Sequence, residues 1–235
     1  MKRIEFLRKA GLGLFATSTL IACVKDAELD LSGESTSSTG STNGSSSSNC
    51  TVTNSETAGP YPTKDPSSLV RQDIRVDRQG VLMNLDLTIK NANADCAALA
   101  GVMVDVWHCD ADGVYSEYGS GSSAHFLRGR QTTDSDGLVR FTSIFPGWYP
   151  GRAPHIHVHI YSATGKSLLV TQIAFEESIC KNVYTNATSF YKNGTQDTTN
   201  ERDGIFRDGY ANELASIEGS IADGYNAGLT IVVKG

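Results

Sequence analysis

The chain has 235 residues, 23 of them glycine, with 39% hydrophobic and 20% charged residues and a formal net charge of −6 at pH 7. This length allows one ordinary domain with extensions. The negative charge argues against nucleic acid and anionic lipid head groups as partners, because both repel an acidic surface. Downstream of residue 22, no apolar run approaches the ~20 residues that a membrane-spanning helix needs.

The first 22 residues have the features of an export signal. Basic residues at positions 2, 3, 8 and 9 precede an apolar stretch that ends in Leu-Ile-Ala-Cys at positions 20–23. This ending resembles the lipobox of bacterial lipoproteins, in which the cysteine becomes the lipidated first residue. We therefore predict a lipoprotein signal peptide at 1–22, lipidation at Cys23, and export to the cell envelope, with anchoring at the outer membrane or cell surface. An ordinary secretory signal is the alternative, and the export route stays open.

The segment that follows is predicted to be a flexible tether. Positions 32–49 are almost entirely Ser, Thr, Gly and Asn. Such a composition cannot bury enough apolar surface to offset the entropy of ordering it. We therefore assign residues 23–49 to a lipidated linker and residues 50–235 to one folded domain.

Four cysteines remain once Cys23 is assigned to lipid: Cys50, Cys96, Cys109 and Cys180. In an oxidising compartment this even number predicts two disulfides. No C-x-x-C pair is present, which argues against a zinc site. A disulfide between Cys96 and Cys109 is disfavoured, because a strand predicted from about 101 to 107 would hold those two cysteines apart. The two other connectivities stay open.

The domain itself is patterned as short strands. Apolar residues alternate over 81–89 and 102–106, and β-branched or apolar runs occur at 138–144, 156–160, 168–175 and 229–233. Turn signals lie at 134–137 and 163–166. Only 201–221 offers weak helical or loop content. The pattern predicts an all-β fold, a β-sandwich of mainly antiparallel strands.

The strand at 155–159 reads His-Ile-His-Val-His. Its three histidines share one face, because successive strand residues point to opposite sides. Neighbouring histidines in this pattern lie ~6.6 Å apart along the strand, whereas the outer pair is ~13 Å apart. Bonds of ~2.1 Å then allow two of the three to bind one metal ion, but not all three. A histidine-rich polar strand without metal is the alternative.

The turn at 163–166 also predicts a cross-strand pair. If Thr164 and Gly165 are the centre of a two-residue hairpin, Gln172 lies directly opposite His157 on the same face. A glutamine amide beside a metal-binding histidine can orient the ligand or contact substrate. An ordinary polar cross-strand pair is the alternative.

Five runs of the chain together carry a resemblance to a known family. They are G-P-Y (59–61), D-V-W-H-C-D-A-D-G-V-Y-S (105–116), F-L-R-G-R-Q-T-T-D (126–134), G-W-Y-P-G-R-A-P-H-I-H (147–157) and T-Q-I (171–173). In this order they resemble the intradiol ring-cleavage dioxygenases, the family of catechol 1,2-dioxygenase and protocatechuate 3,4-dioxygenase. The resemblance implies an enzyme with a β-sandwich fold, long active-site loops and a non-haem iron(III) ion (Fe3+).

The resemblance also implies the metal ligands. Tyr115, in G-V-Y-S, would be the tyrosinate that stays on iron, and Tyr149, in G-W-Y, the tyrosinate that leaves when substrate binds. His155 and His157 would be the two imidazole ligands, which leaves His159 without metal. Phenolate oxygens stabilise a hard iron(III) ion, and coordination lowers the phenol pKa so that the tyrosines ionise.

Two further residues are implied to act on the substrate. Arg152 would face the bound ring and stabilise negative charge that develops on it, with Gln172 nearby. The substrates would be a catecholic compound and O2, and the product a muconate-type diacid. Arg152, Gln172 and Tyr149 are therefore the predicted catalytic residues.

Several features depart from the family pattern. Catechol-type enzymes carry a helical dimerisation domain that the short segment between Cys23 and Cys50 cannot supply, and the protocatechuate type is built from two related chains. The ring substituents of the substrate and the oligomeric state therefore stay open. The alternative functions are a surface module that binds iron–catecholate complexes without turnover, and a structural lipoprotein whose H-x-H strand is incidental.

Overall fold

The computed structural model of the chain describes residues 50–235. The predicted signal peptide, the lipidation site Cys23 and the tether fall on residues 1–49 and lie outside the described residues. Within residues 50–235, no helix combines the length and the apolar character needed to cross a membrane.

The described part is built mainly of strands, as predicted. They are β1 (Leu82–Asn91), β2 (Ala97–Ala98), β3 (Met103–Trp107), β4 (Arg128–Thr132), β5 (Leu138–Ile144), β6 (His155–Tyr161), β7 (Ser167–Ala174), β8 (Ser216–Ser220) and β9 (Gly224–Val233). One α-helix, α1 (Glu177–Asn186), follows β7. Short 3-10 helices occur at Pro66–Leu69, Ala92–Ala94, Asn200–Arg202 and Phe206–Asp208.

The strands form two sheets that enclose one main core. The five-stranded sheet has the order β2-β1-β9-β8 with β5 also paired to β1, and the four-stranded sheet has the order β4-β3-β6-β7. All pairings are antiparallel except that of β1 with β9. Alternate apolar residues of both sheets, including Leu85 and Leu87 on β1 and Val104 and Val106 on β3, are fully buried in this core. The predicted all-β sandwich is confirmed.

The prediction that only 201–221 has helical content is wrong. Helix α1 buries Cys180, Val183 and Tyr184 against the core. Their spacing is the spacing of one helix face, so the sequence carried the signal. Strands β4 and β8 were not predicted either. Each contains glycine and polar residues, and each forms because it pairs with a neighbour whose apolar pattern is strong, β3 and β9 respectively.

The prediction of two disulfides is half right. Cys50 is bonded to Cys96, with 5.6 Å between their Cα atoms. This is one of the two bonds in the connectivity that pairs Cys50 with Cys96 and Cys109 with Cys180, which the sequence left open. Cys109 and Cys180 are free and buried. Cys109 lies just beyond the end of β3 and Cys180 lies within α1. Burial raises the pKa of both thiols above the usual value, which keeps them in the unreactive thiol form.

Candidate metal centre

Strand β6 places its histidines on the outer face of the four-stranded sheet. The apolar residues of β6, at 156, 158 and 160, belong to the core between the sheets. Because strand residues alternate, His155, His157 and His159 point to the opposite side, where loops cover the first two. His155 is 3% and His157 1% exposed. Gln172 on β7 is paired directly with His157, so the predicted cross-strand pair is confirmed. The two-residue hairpin assumed for it is wrong: Ser162 N donates to the Lys166 carbonyl across a three-residue loop, and a register shift at Ile160/Tyr161 restores the predicted pairing.

Four side chains, Tyr115, Tyr149, His155 and His157, form one cluster above this face. The Nε2 atoms of His155 and His157 are 3.1 Å apart. The Tyr115 hydroxyl lies 3.4 Å from His155 Nε2. The ring of Tyr149 lies roughly edge-on to the rings of Tyr115 and His155, with centroid distances of 5.9 and 5.7 Å. The four residues predicted as metal ligands are therefore brought together from three separate parts of the chain.

The proton positions on His155 follow from its neighbours. Its Nδ1 lies 2.6 Å from the Ala153 carbonyl oxygen. A carbonyl oxygen only accepts, so Nδ1 donates and Nε2 presents a lone pair to the cluster. That lone pair accepts one good hydrogen bond, but the Tyr115 hydroxyl, His157 Nε2 and Arg152 Nη1 all lie 3.1–3.4 Å from it. Hydrogen bonding alone does not account for this convergence.

The spacing of these atoms fits a metal ion. Ligands at ~90–110° to each other, on an ion with bonds of ~2.1 Å, are ~3.0–3.4 Å apart. The distances of 3.1 and 3.4 Å in the cluster agree with that geometry. Across residues 50–235, no group of three or more His, Cys, Asp or Glu side chains is arranged to hold a metal. A metal ion held by this cluster would therefore need the tyrosine oxygens as well as the two imidazoles.

Burial sets the charge state of the four side chains. It lowers the pKa of His155 to about 3. It also lowers the pKa of His157 well below its usual value, and the neighbouring His155 and Arg152 lower that pKa further. Both imidazoles are therefore neutral, the form that binds metals. Burial also raises the pKa of Tyr115 well above its usual value and raises that of Tyr149. These phenols become phenolates only beside a strongly Lewis-acidic cation, which is the setting that iron(III) would supply.

The two tyrosines have different surroundings. Tyr115 is 4% exposed and stacks on Tyr61 with 4.7 Å between ring centroids. The fully buried Arg128 braces this region, because it donates to the hydroxyl and carbonyl oxygens of Ser116 at 2.9 and 2.7 Å. Tyr149 is only partly buried and lines a cavity of about 240 Å³ together with Tyr61 and Tyr115. Tyr115 is thus held in place, whereas Tyr149 lies at the edge of an open space.

Two glycines of the motifs allow close packing around the cluster. Gly59 has φ +65° and lies against His157, where an added Cβ would be 3.1 Å from Cε1 of the imidazole. Gly113 has φ +82°, and an added Cβ would be 2.5 Å from the Trp148 carbonyl oxygen. Any side chain at either position would be strained. It would press on His157 itself at Gly59, and on the backbone of Trp148, next to Tyr149, at Gly113.

Trp107 supports His157 from the neighbouring strand. The two residues are paired between β3 and β6, and their rings are parallel within 2° at a centroid distance of 4.9 Å. Trp107 is 2% exposed, so its indole acts as a packing wall for the imidazole.

Arg152 and Gln172 lie at one side of the cluster. Arg152 Nε donates to Asp203, and its Nη2 donates to Gln172 Oε1. The Gln172 amide nitrogen donates to the Thr57 carbonyl at 2.9 Å, which fixes the orientation of the amide. Arg152 Nη1 remains directed at His155 Nε2, 3.4 Å away. Both residues predicted to act on substrate are thus linked to each other and next to the candidate ligands.

His159 takes no part in the cluster. Its Nε2 is 2.8 Å from the Ser167 hydroxyl and its Nδ1 2.7 Å from the Tyr161 hydroxyl. The expectation that one histidine of the strand stays without metal therefore agrees with its surroundings.

The sequence did not reveal the buried charged residues that hydrogen-bond to the predicted site residues or to their neighbours. Asp203 lies in the segment for which only weak helical or loop content was predicted, and no periodicity marks it. Arg128 stood within a family-like run without an assigned role. A cavity of about 720 Å³ lies elsewhere in the described residues: it is lined by residues such as Thr51, Asn54 and Asn212 and by none of the predicted catalytic or metal-binding residues.

Comparison with known proteins gives a consistent result. A family model described as a dioxygenase matches residues 59–187. A chlorocatechol 1,2-dioxygenase of Rhodococcus opacus is 29% identical over 137 residues, which cover 50% of this chain and 51% of the relative. A hydroxyquinol 1,2-dioxygenase of a Rhizobium species is 31% identical over 134 residues, covering 49% and 45%. The chain thus spans about half the length of the curated relatives it matches.

Solved structures extend the likeness over more of the chain. An intradiol ring-cleavage dioxygenase from Tetranychus urticae has a TM-score of 0.72 and 29% identity, covering 78% of this chain and 95% of that one. A 3-chlorocatechol 1,2-dioxygenase from Rhodococcus opacus has a TM-score of 0.57 and 20% identity, covering 77% and 71%. The second likeness, at this identity, concerns the fold alone.

Proposed function

We propose a function on the premise that this chain belongs to the intradiol ring-cleavage dioxygenases. In this proposal it inserts both atoms of O2 into catecholic aromatic compounds and opens the ring to a muconate-type diacid. The family match spans more than half of the chain and includes all four candidate ligands. The single observation that carries the proposal is the convergence of two neutral imidazoles and two phenols, with donor atoms 3.1 and 3.4 Å apart.

In this proposal Tyr115, Tyr149, His155 and His157 hold an iron(III) ion. When bound, iron(III) would supply a Lewis acid that draws electron density from a chelated catechol and lets O2 react with the ring without an external reductant. His155 is held for this task through its Nδ1–H bond to the Ala153 carbonyl. Such an outer hydrogen bond fixes the ring and raises the basicity of the coordinating nitrogen.

Tyr149 is the proton acceptor in this reading. It is partly exposed and borders the 240 Å³ cavity, whereas Tyr115 is packed between Tyr61 and Arg128. The side chain with room to move is therefore Tyr149. As a phenolate, its oxygen could take a proton from a catechol hydroxyl.

Arg152 acts on the charge that develops on the substrate ring. Its Nη1 is the guanidinium nitrogen nearest to the candidate ligands, and its other polar contacts hold it in that direction. A cation fixed in advance beside a developing negative charge lowers the barrier without reorganising during the reaction. Gln172 contributes through the orientation of Arg152.

The test is oxygen uptake by the iron-loaded protein with catechol and substituted catechols, with product mass measured in parallel. One O2 consumed per ring cleaved, with both atoms in the product, supports the proposal. Tight catechol binding without oxygen uptake would instead support a surface module that binds iron–catecholate complexes. A colourless protein that binds neither iron nor catechol would leave only a structural role.

We also propose that the enzyme is exported and lipid-anchored through Cys23. The disulfide between Cys50 and Cys96 supports an oxidising compartment. The test is radiolabelled palmitate incorporation and fractionation of cells that produce the full chain or the Cys23→Ala variant. Equal labelling and equal membrane recovery of the two proteins would overturn this assignment.

A further inference from the structure

The guanidinium of Arg152 is held by a carboxylate from a distant part of the chain. Asp203 lies between the 3-10 helices Asn200–Arg202 and Phe206–Asp208, 51 residues after Arg152. Arg152 Nε lies 3.0 and 2.8 Å from the two oxygens of this carboxylate. The Asp203 side chain is completely buried, and that of Arg152 is 14% exposed.

Asp203 is itself fixed by two backbone amides. Its Oδ2 accepts from Ala153 N at 2.7 Å, and its Oδ1 accepts from Ile205 N at 2.8 Å. The first of these amides is adjacent to Arg152 in sequence, and the second belongs to the loop of Asp203. The carboxylate therefore joins the loop both to the guanidinium and to the backbone that carries it.

The remaining nitrogens of Arg152 then have defined directions. Gln172 Oε1 accepts from Nη2, and Nη1 points to His155 Nε2 at 3.4 Å. Because a guanidinium is planar and rigid, fixing Nε and Nη2 fixes Nη1 as well. Asp203 and Gln172 thus determine where the free edge of the cation faces the candidate metal centre.

We propose that Asp203 is a positioning residue that keeps the free edge of Arg152 directed at the reacting ring. This inference rests on the proposed function of the site. Two effects of Asp203 oppose each other: its negative charge weakens the field of the cation at the ring, whereas its contacts fix the orientation of the cation. Orientation dominates, because a displacement of about 1 Å in an active site can cost about 10²-fold in rate.

The experiment compares Asp203→Ala, Asp203→Asn, Arg152→Ala and the double variant Arg152→Ala/Asp203→Ala, all iron-loaded. We expect Asp203→Ala to lower kcat about tenfold or more, with KM changed less than about twofold. Asp203→Asn keeps one acceptor oxygen, so its kcat should lie between those of wild type and Asp203→Ala. In the Arg152→Ala background, removing Asp203 should change kcat by less than about twofold, because both residues act through one cation.

Asp197→Asn is the matched control. Asp197 lies in the same segment and accepts from Gly151 N at 3.1 Å, so it contacts the residue before Arg152 but not the guanidinium. We expect its kcat to stay within about twofold of wild type. Iron content and the tyrosinate-to-iron colour should be unchanged in every variant that folds. Crystal structures of wild type and Asp203→Ala give a readout apart from activity. The Arg152 guanidinium should face His155 in wild type and be displaced from that direction in the variant.

Three results would overturn the inference. Asp203→Ala could be as active as wild type or faster, which would mean that orientation by Asp203 does not govern the rate. The fold-loss of kcat in the double variant could equal the product of the fold-losses in the two single variants, which would mean that Asp203 acts independently of Arg152. Arg152 could keep its wild-type direction in the Asp203→Ala crystal. Inactivity of the wild type towards all catechols would instead contradict the proposed function, while the crystal comparison would still test the positioning of Arg152.

Discussion

The first and last histidines of β6 carry the same side chain on the same face of the sheet, but in different surroundings. His155 is 3% exposed, and its Nε2 lies 3.1 Å from that of His157. His159 is only half-buried, and both of its ring nitrogens are hydrogen-bonded, to the hydroxyls of Tyr161 and Ser167. The Nε2 atoms of His155 and His157 lie closer together than hydrogen bonding explains, whereas both ring nitrogens of His159 have a hydrogen-bond partner.

The difference comes from what the neighbouring strands and loops place beside each histidine. His157 has Trp107 on one side and Gln172 on the other, whereas His159 has Asp105 and Val170. Asp105 forms an ion pair with Arg130, at 2.5 Å, and so is not free for the imidazole. The period of two in the sequence sets the face. The nitrogens of His159 are occupied by the hydroxyls of Tyr161 and Ser167, whereas His157 Nδ1 has no hydrogen-bond partner within the described residues and its Nε2 faces that of His155.

The largest expected effect is loss of iron from the buried end of the strand. Tyr115→Phe and His155→Ala each remove one of the four proposed bonds to the ion, so each should strip most of the iron from the purified protein. Metal content by mass spectrometry and the visible charge-transfer band measure this. His159→Ala is the control on the same face and should keep near-normal iron. If His159→Ala lost as much iron as His157→Ala, the wrong neighbouring pair would have been chosen.

A second prediction tests the cation beside the buried end. Arg152→Ala should keep iron, colour and catechol binding but lower kcat by about 10²-fold or more, because the contact is used mainly as charge develops. Arg152→Lys should recover only part of the activity, since a lysine lacks the planar fork that contacts Asp203 and Gln172 together. Single-turnover oxygen consumption measures the rate, and the shift of the colour band measures binding. Wild-type turnover in Arg152→Ala would remove the electrostatic role.

A third prediction concerns the stability of the sheet next to the buried end. Glu213 is fully buried and accepts from the Thr171 hydroxyl at 2.7 Å. Burial raises its pKa from 4.5 to about 7, with smaller contributions from Glu56 and Asp208. Since the folded protein holds this proton more tightly than the unfolded chain, the stabilisation is complete below pH 4.5 and is lost as pH rises through about 7.

Glu213→Gln removes this titration with little change of shape. Relative to the variant, wild type should lose up to about 3 kcal/mol of unfolding free energy as pH rises from below the lower to above the higher pKa. Urea unfolding of both proteins at several pH values gives the difference, in which the other titrating groups largely cancel. Two parallel curves would mean that Glu213 ionises in the folded protein as it does in the unfolded chain.

The smallest effect is expected at the satisfied end of the strand. His159→Ala removes two hydrogen bonds from a half-buried side chain and should lower the unfolding free energy by about 1 kcal/mol. Urea unfolding at neutral pH measures it. A destabilisation of several kcal/mol would show that His159 holds the sheet edge more strongly than its exposure indicates.

Local patterns in the sequence determine much of the site. Alternation sets the face of the histidines, because it depends only on neighbouring residues. The pairing of His157 with Gln172 also needs the register shift at Ile160/Tyr161, which the turn signal at 163–166 did not predict. Burial of Tyr115 against Tyr61 was not predictable in this way, since the two residues meet through loops. The family-like runs supplied what local patterns could not, because they carry the long-range arrangement indirectly.

The residues that stayed hidden are those whose partners are far along the chain. Asp203 contacts Arg152 across 51 residues from a segment without periodicity. Strand β4 has the sequence R-G-R-Q-T and acquires its strand structure from pairing with β3. Helix α1 differs from both, because its apolar residues at 179, 180, 183 and 184 have helical spacing within the sequence itself.

The disulfide at the start of the described chain has a mechanical consequence. Residues after Cys50 run past Val232 and Val170, where Thr53 and Glu56 form backbone hydrogen bonds, to Gly59 against His157. A pull on the chain before Cys50 would otherwise strip these bonds one at a time and draw Gly59 off the imidazole. Because Cys50 is clamped to Cys96, next to β2, the load passes into the edge of the five-stranded sheet. The segment that packs on the candidate metal centre is thereby shielded from tension.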